Sequence, residues 1–206
     1  MGEIKEYFID TVSNYAHLKE TASRYVSVLT VMALESIEGY TTDDFIKIFD
    51  ALPQDALNES VTTIYESISS AGDRSEHYWK NRVEPFWKDI WPKSNNLRSQ
   101  PISEFLIRII LETGDQLPAA AEFLADWLIP IDHPFHIVDA IAEKNVGEQF
   151  PSETLKMLDT IIENQDWYQP IELLACINQI GLADPALKAI PAYIRLTQYL
   201  RTKGLQ

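Results

Sequence analysis

Four groups of residues in this sequence could do chemistry. His133 and His136 stand as an H-x-x-H pair around Pro134 and Phe135, a spacing that could offer two nitrogens to a metal. A zinc site needs two further ligands, and Asp132 or Asp139 could supply them only by folding back, so the pair reads first as a turn between helices. Carboxylates gather near one turn at Glu112, Asp115, Glu122 and Asp126, and Asp139 and Glu143 share a helix face at i, i+4. Acid–base catalysis would need one of them held in a pocket that raises its pKa; solvated helix faces account for them otherwise. The single cysteine, Cys176, lies among Leu173, Leu174, Ile177 and Ile180, which points to a core thiol and not to a nucleophile.

The fourth group is a basic, tryptophan-rich stretch from Asp73 to Gln100. Arg74, Lys80, Arg82, Lys88, Lys93 and Arg98 outnumber Asp73, Glu76, Glu84 and Asp89, in a chain whose formal charge is −14. Aromatic rings can stack on bases while cations meet phosphates, so Trp79, Arg82, Trp87, Lys88 and Trp91 form the candidate interface, for a protein or for nucleic acid. The tryptophans also fall at helical spacing with Val83, Phe86 and Ile90, as a core stripe or a hinge would. The acidity of the whole argues against general nucleic-acid binding and favours a basic protein partner. No HExxH, glycine-rich phosphate loop, GxSxG or CxxC occurs, so the sequence names no cofactor, no metal and no catalytic residue.

The elements that must position these groups read as helices throughout. Seven glycines in 206 residues, with apolar residues at 46%, suit helices joined by short connections. Helical spacing covers 3–18 through Ile4, Tyr7, Phe8, Val12 and Tyr15, then about 19–37 up to a stop at Gly39. Thr41 with Asp44 predicts a capping box before Phe45, Ile48 and Phe49. Pro53 opens a helix carrying Leu57, Val61, Ile64 and Ile68, closed by Gly72, and Pro85 interrupts the tryptophan-bearing helix. The polar run KSNNLRSQ after Pro92 separates an N-terminal helical subdomain, 1–92, from a second, 101–206.

The second subdomain repeats. Pro101, Pro134 and Pro170 stand just inside helix starts, each helix runs to a glycine (Gly114, Gly147, Gly181), and four residues later Pro118, Pro151 or Pro185 opens a second helix. A glycine period of 33 and 34 residues marks stacked helical hairpins. A pair of short amphipathic helices cannot cover its own apolar face, so neighbours must share a core. Leu106, Ile109 and Ile110 are expected against Phe123, Leu124 and Leu128; Ile137 and Ile141 against Leu155, Leu158 and Ile162; Leu173, Leu174 and Ile177 against Ile194. The expected fold is all-α, about 10–11 helices, the hairpins forming an α-α superhelix of HEAT or TPR type.

Residues 77–206, through EPFWKDIWPKS, ISEFLIRIILETGDQLPAAAEFLADWLIPIDHP and FPSETLKMLDTIIENQDWYQP, resemble the carboxy-terminal helical region of large bacterial multidomain proteins of the phage-defence type. That resemblance implies a HEAT-like sensing or assembly module and brings no catalytic residues. The expected function is therefore a non-catalytic protein-interaction or sensing module. The alternatives are a regulator or enzyme with a site in a groove between the helical halves, and nucleic-acid contact through 74–98. One cysteine, no apolar run near ~18 residues and no basic-then-apolar leader point to a cytoplasmic chain without a membrane span. Gly2 invites myristoylation, but Glu6 stands where Ser or Thr is wanted.

Overall fold

The computed structural model describes residues 19–92, 98–162 and 171–205; the expected helix over 3–18, the loop 93–97 and Pro170 lie outside the described residues. Everything described is helix or connection, with no strand among the described residues. The chain divides into two compact units, Met1–Leu97 and Arg98–Gln206.

The first unit begins with α1 (Lys19–Leu34), α2 (Thr42–Ala51) and α3 (Gln54–Ser70). α1 stops earlier than its glycine suggests. Ser36 takes the left-handed conformation (φ 52°), Ser36 N–H reaches Ala33 O at 3.2 Å and Ile37 N–H reaches Met32 O at 3.1 Å. This is a Schellman stop, with serine in the place where glycine is the commoner choice. The capping box at α2 forms as the sequence predicts: Asp44 N–H donates to Thr41 Oγ1 at 3.3 Å, and Thr41 N–H donates to Asp44 Oδ2 at 2.7 Å.

α1 and α3 pack along a seam of small hydroxyl residues. Thr30 Oγ1 lies 2.8 Å from both Ser60 Oγ and the Val26 carbonyl, and Thr63 Oγ1 lies 3.1 Å from Ser27 Oγ. Small side chains let the helices approach, and the paired hydroxyls avoid the ~1–3 kcal/mol penalty of an unsatisfied buried polar group.

After a one-turn connection at Gly72–Arg74 come α4 (Ser75–Tyr78), a π turn (Trp79–Val83) and α5 (Glu84–Asp89). The interruption expected at Pro85 takes the form of that π turn. Proline lacks an N–H and its ring clashes with the carbonyl four residues back, so the preceding turn widens, and Glu84 N–H donates to the Trp79 carbonyl five residues behind it.

The second unit holds α6 (Gln100–Leu111), α7 (Leu117–Leu124), α8 (Phe135–Glu143), α9 (Val146–Gln149), α10 (Pro151–Ile161), α11 (Ile171–Ala183) and α12 (Pro191–Thr202). Helices α6, α8 and α11 pack in that order, and α7, α10 and α12 pack in that order beside them. The hairpins are pinned at their joints. Ser103 Oγ accepts from Ile129 N–H at 3.0 Å and donates to the Ile129 carbonyl at 2.9 Å, while Ile131 N–H donates to Ile161 O at 3.0 Å. Of the expected core residues, Phe123 and Leu174 are half-buried and Ile194 is exposed at 44%; the rest are buried.

The three glycines share a register but not a role. Gly114 is left-handed (φ 56°) and follows the end of α6, as expected. Gly147 lies inside α9, and the left-handed residue that ends α8 is Asn145 (φ 53°). Gly181 lies inside α11. These two glycines serve close approach instead: a Cβ on Gly147 would sit 3.2 Å from the Cys176 carbonyl, and one on Gly181 would sit 2.5 Å from Tyr193 Oη. Pro185 likewise opens a 3-10 turn (Pro185–Ala189) capped by Asp184, and the second α-helix of the third hairpin starts at Pro191.

Candidate functional site

The tryptophan half of the expected interface is core. Trp79, Trp87 and Trp91 are each no more than 2% exposed. Trp87 and Trp91, one turn apart, stack with ring centroids at 4.4 Å, and Phe86 meets Phe49 of α2 edge-on at 5.2 Å. Rings enclosed in this way offer no face to a nucleic-acid base, so the stacking half of that reading is corrected: the spacing that put them on one stripe is the spacing of a packed interior.

The two cations of the candidate interface, Arg82 and Lys88, do reach the surface, and each has a partner within the unit. Lys88 Nζ lies 2.6 Å from Glu84 Oε1, and Arg82 lies 3.8 Å from Glu35. Tyr78 donates to the same Glu35 at 3.0 Å; burial first, then the Glu35 carboxylate, pushes its phenol up to about 12.

The remaining chemical groups lie in the second unit. His133 and His136 are both exposed, with the His136 ring against Phe135, and no group of three His, Cys, Asp or Glu close enough for a metal occurs among the described residues. Cys176 is fully buried, its thiol 3.7 Å from the Val138 carbonyl, and burial pushes it up to about 12. Asp139, on the facing helix, is held above the usual carboxylate range by burial, then by Glu172 and Glu143, with His136 opposing.

Some charged residues of this unit answer one another: Arg108 with Glu104 at 3.0 Å, Lys144 with Glu112 at 3.2 Å and Arg195 with Asp159 at 2.7 Å. A groove of about 300 Å³ lies between α7 and α10. Its floor is apolar, made by Pro118, Ala121, Ala125, Leu128 and Met157. Its rim carries Glu122, Glu153, Lys156 and Thr160. Thr160 donates to its own helix at the Lys156 carbonyl, 2.9 Å away, whereas Glu122, Glu153 and Lys156 have no partner among the described residues.

Of these residues the sequence singled out Glu122 as a chemical group, Pro118 as a helix start and Leu128 as core. The others were hidden because α7 and α10 are amphipathic helices whose flanks look like ordinary surface. A second groove, of about 400 Å³, lies between α11 and α12 with Asn178, Tyr193, Thr197 and Arg201 on its polar side. No helix among the described residues is long and apolar enough to cross a membrane. Compared with known proteins, the chain matches no protein-family model, no curated protein and no solved structure.

Proposed function

We propose that this chain is a non-catalytic protein-interaction or sensing module that works in the cytoplasm. Its second unit is read as a HEAT-like stack of three hairpins, and the whole as the counterpart of the helical C-terminal region of a bacterial phage-defence protein. The observation that carries the reading is the open groove across α7 and α10, with an apolar floor and rim charges that have no partner among the described residues.

Two orders of neighbours, α6–α8–α11 and α7–α10–α12, support the stacked-hairpin reading, since each helix packs on the next in its own row. Such rows leave one helix face of every hairpin available to a partner. The groove is open along one side, which suits docking better than chemistry, because catalysis gains from expelling water.

Lys156 provides the test. The full chain, incubated with lysate from phage-infected bacteria and a lysine-directed crosslinker, should give a protein adduct at Lys156. Adducts confined to lysines of the first unit, such as Lys47 or Lys80, or no adduct at good bait loading, would overturn the proposal.

A further inference from the structure

We infer that the α7–α10 groove seats a basic amphipathic helix of a partner protein, one apolar side chain entering between Ala121 and Met157 while flanking cations meet Glu122 and Glu153. The inference rests on the interaction reading above and gives it an occupant.

The floor comes first. Met157 and Leu128 are nearly buried, and the groove volume of about 300 Å³ is at the lower end of the ~300–1,000 Å³ of small-molecule sites. An open trough of that size takes one or two anchoring side chains, and a methionine floor adapts to more than one shape.

A helix fits here better than a strand. The backbone groups of α7 and α10 are already bonded within their helices, so an extended segment would find no edge for its own N–H and C=O groups. A helix brings those bonds with it and lays its ridge of side chains between two neighbours.

Charge selects the sign. The two rim carboxylates have no cation partner among the described residues, while Asp159, only six residues beyond Glu153 on the same helix, has Arg195. The chain as a whole carries a formal −14, which draws a basic partner from a distance. Lys156 works against a uniformly basic sequence, so the occupant places a neutral or acidic residue beside it, which fixes its direction.

The experiment uses the full chain and three synthetic peptides: a helical Leu/Lys/Ala peptide with leucine at i, i+3 and i+4, a counterpart with serine for leucine, and one with glutamate for lysine. With only three methionines in the chain, methyl-labelled methionine gives few signals. The Leu/Lys peptide should move the Met157 signal and leave Met32 in place, and the other two peptides should move neither. By fluorescence anisotropy, Glu122→Lys with Glu153→Lys should weaken binding about tenfold, and Lys156→Glu should tighten it several-fold. Asp50→Lys with Glu66→Lys makes the same change in net charge in the first unit, outside the groove's lining, and should leave binding within about twofold.

The inference is overturned if the first-unit pair weakens binding as much as the rim pair, since attraction by the acidic chain as a whole would then suffice. Equal binding of the serine peptide, or binding with the Met157 signal unmoved, overturns it too. A dimer that forms with concentration and blocks the peptide would make a second copy of this chain the occupant. Crosslinking at Lys156 without any peptide response would leave the interaction reading standing and remove only the basic helix; loss of both would remove both.

Discussion

The first and second units are built of helices and their connections, yet they fill their interiors by different means. The first has a π turn, a one-turn connection and a seam of hydroxyls, and large rings close its gaps: Phe49, Phe86, Trp79, Trp87 and Trp91. The second repeats a hairpin and packs aliphatic side chains of similar size, such as Ile110, Ile141, Leu158 and Ile180. Regular rows of helices allow ridges to interlock with medium-sized side chains, whereas a broken helix leaves uneven space that flat rings fill. The α7–α10 groove occurs in the second unit, where rows of neighbours leave a trough between them.

The largest effect that could break this contrast is loss of a ring. Trp87→Ala should cost about 3–5 kcal/mol, because it removes one partner of the Trp87–Trp91 stack as well as a fully buried indole. Leu158→Ala in the second unit removes less and should cost about 2–5 kcal/mol, toward the lower part of that range if neighbouring hairpins relax into the space. Urea unfolding followed by far-ultraviolet circular dichroism measures both. If Trp87→Ala proves the milder of the two, the rings do not organise the first unit.

The glycine register gives a sharper and smaller comparison within the second unit. Gly114 and Asn145 are the left-handed residues, so Gly114→Ala and Asn145→Ala should each cost about 1–2 kcal/mol. Asn tolerates that conformation, so Gly114→Asn should retain more stability than Gly114→Ala. Gly147 is helical and crowded by the Cys176 carbonyl at 3.2 Å from a built Cβ, so there the order should invert, with Asn worse than Ala. Melting temperatures of the four variants decide it; the same order at both glycines would mean that the shared register does mark a shared role.

These residues also show what could be read from the sequence. Helix type, the Thr41 capping box and the helix starts at Pro101, Pro118 and Pro151 were legible because each depends on neighbours within a few positions. The role of each repeated glycine was not, since a helix stop and a close helix approach both demand the missing side chain and only tertiary packing separates them. Ser36 ended α1 before Gly39 for a similar reason: a Schellman stop needs a left-handed residue, and serine can supply it at modest cost. The tryptophan stripe showed its spacing but not its surroundings, and Phe49, which closes it, comes from a helix far away in sequence. The groove was the least legible, because it is defined by what neighbouring hairpins leave uncovered.

The smallest effect concerns two groups that burial raises, one in each unit. Cys176 is pushed up to about 12 chiefly by burial among aliphatic side chains, and Tyr78 to about 12 by burial together with Glu35. In both cases the folded protein holds its proton more tightly than the unfolded chain. Stability from each group is therefore complete below the unfolded pKa and is lost as pH rises toward the folded one. A free thiol titrates near ~8.5 and a free phenol near ~10, so the losses begin at different pH. Cys176→Ala should flatten the alkaline fall in stability from about pH 9, by at most about 1.4 kcal/mol for each pH unit, on top of a small constant cost for the lost sulfur. Tyr78→Phe should flatten it only above about pH 10. Urea midpoints across pH 7–11 separate the two, and a native thiol that stays unreactive toward a disulfide reagent at pH 8, then reacts on unfolding, provides the independent check. A Cys176 that reacts readily in the native state would show that the α8–α11 contact, where its thiol faces the Val138 carbonyl, opens.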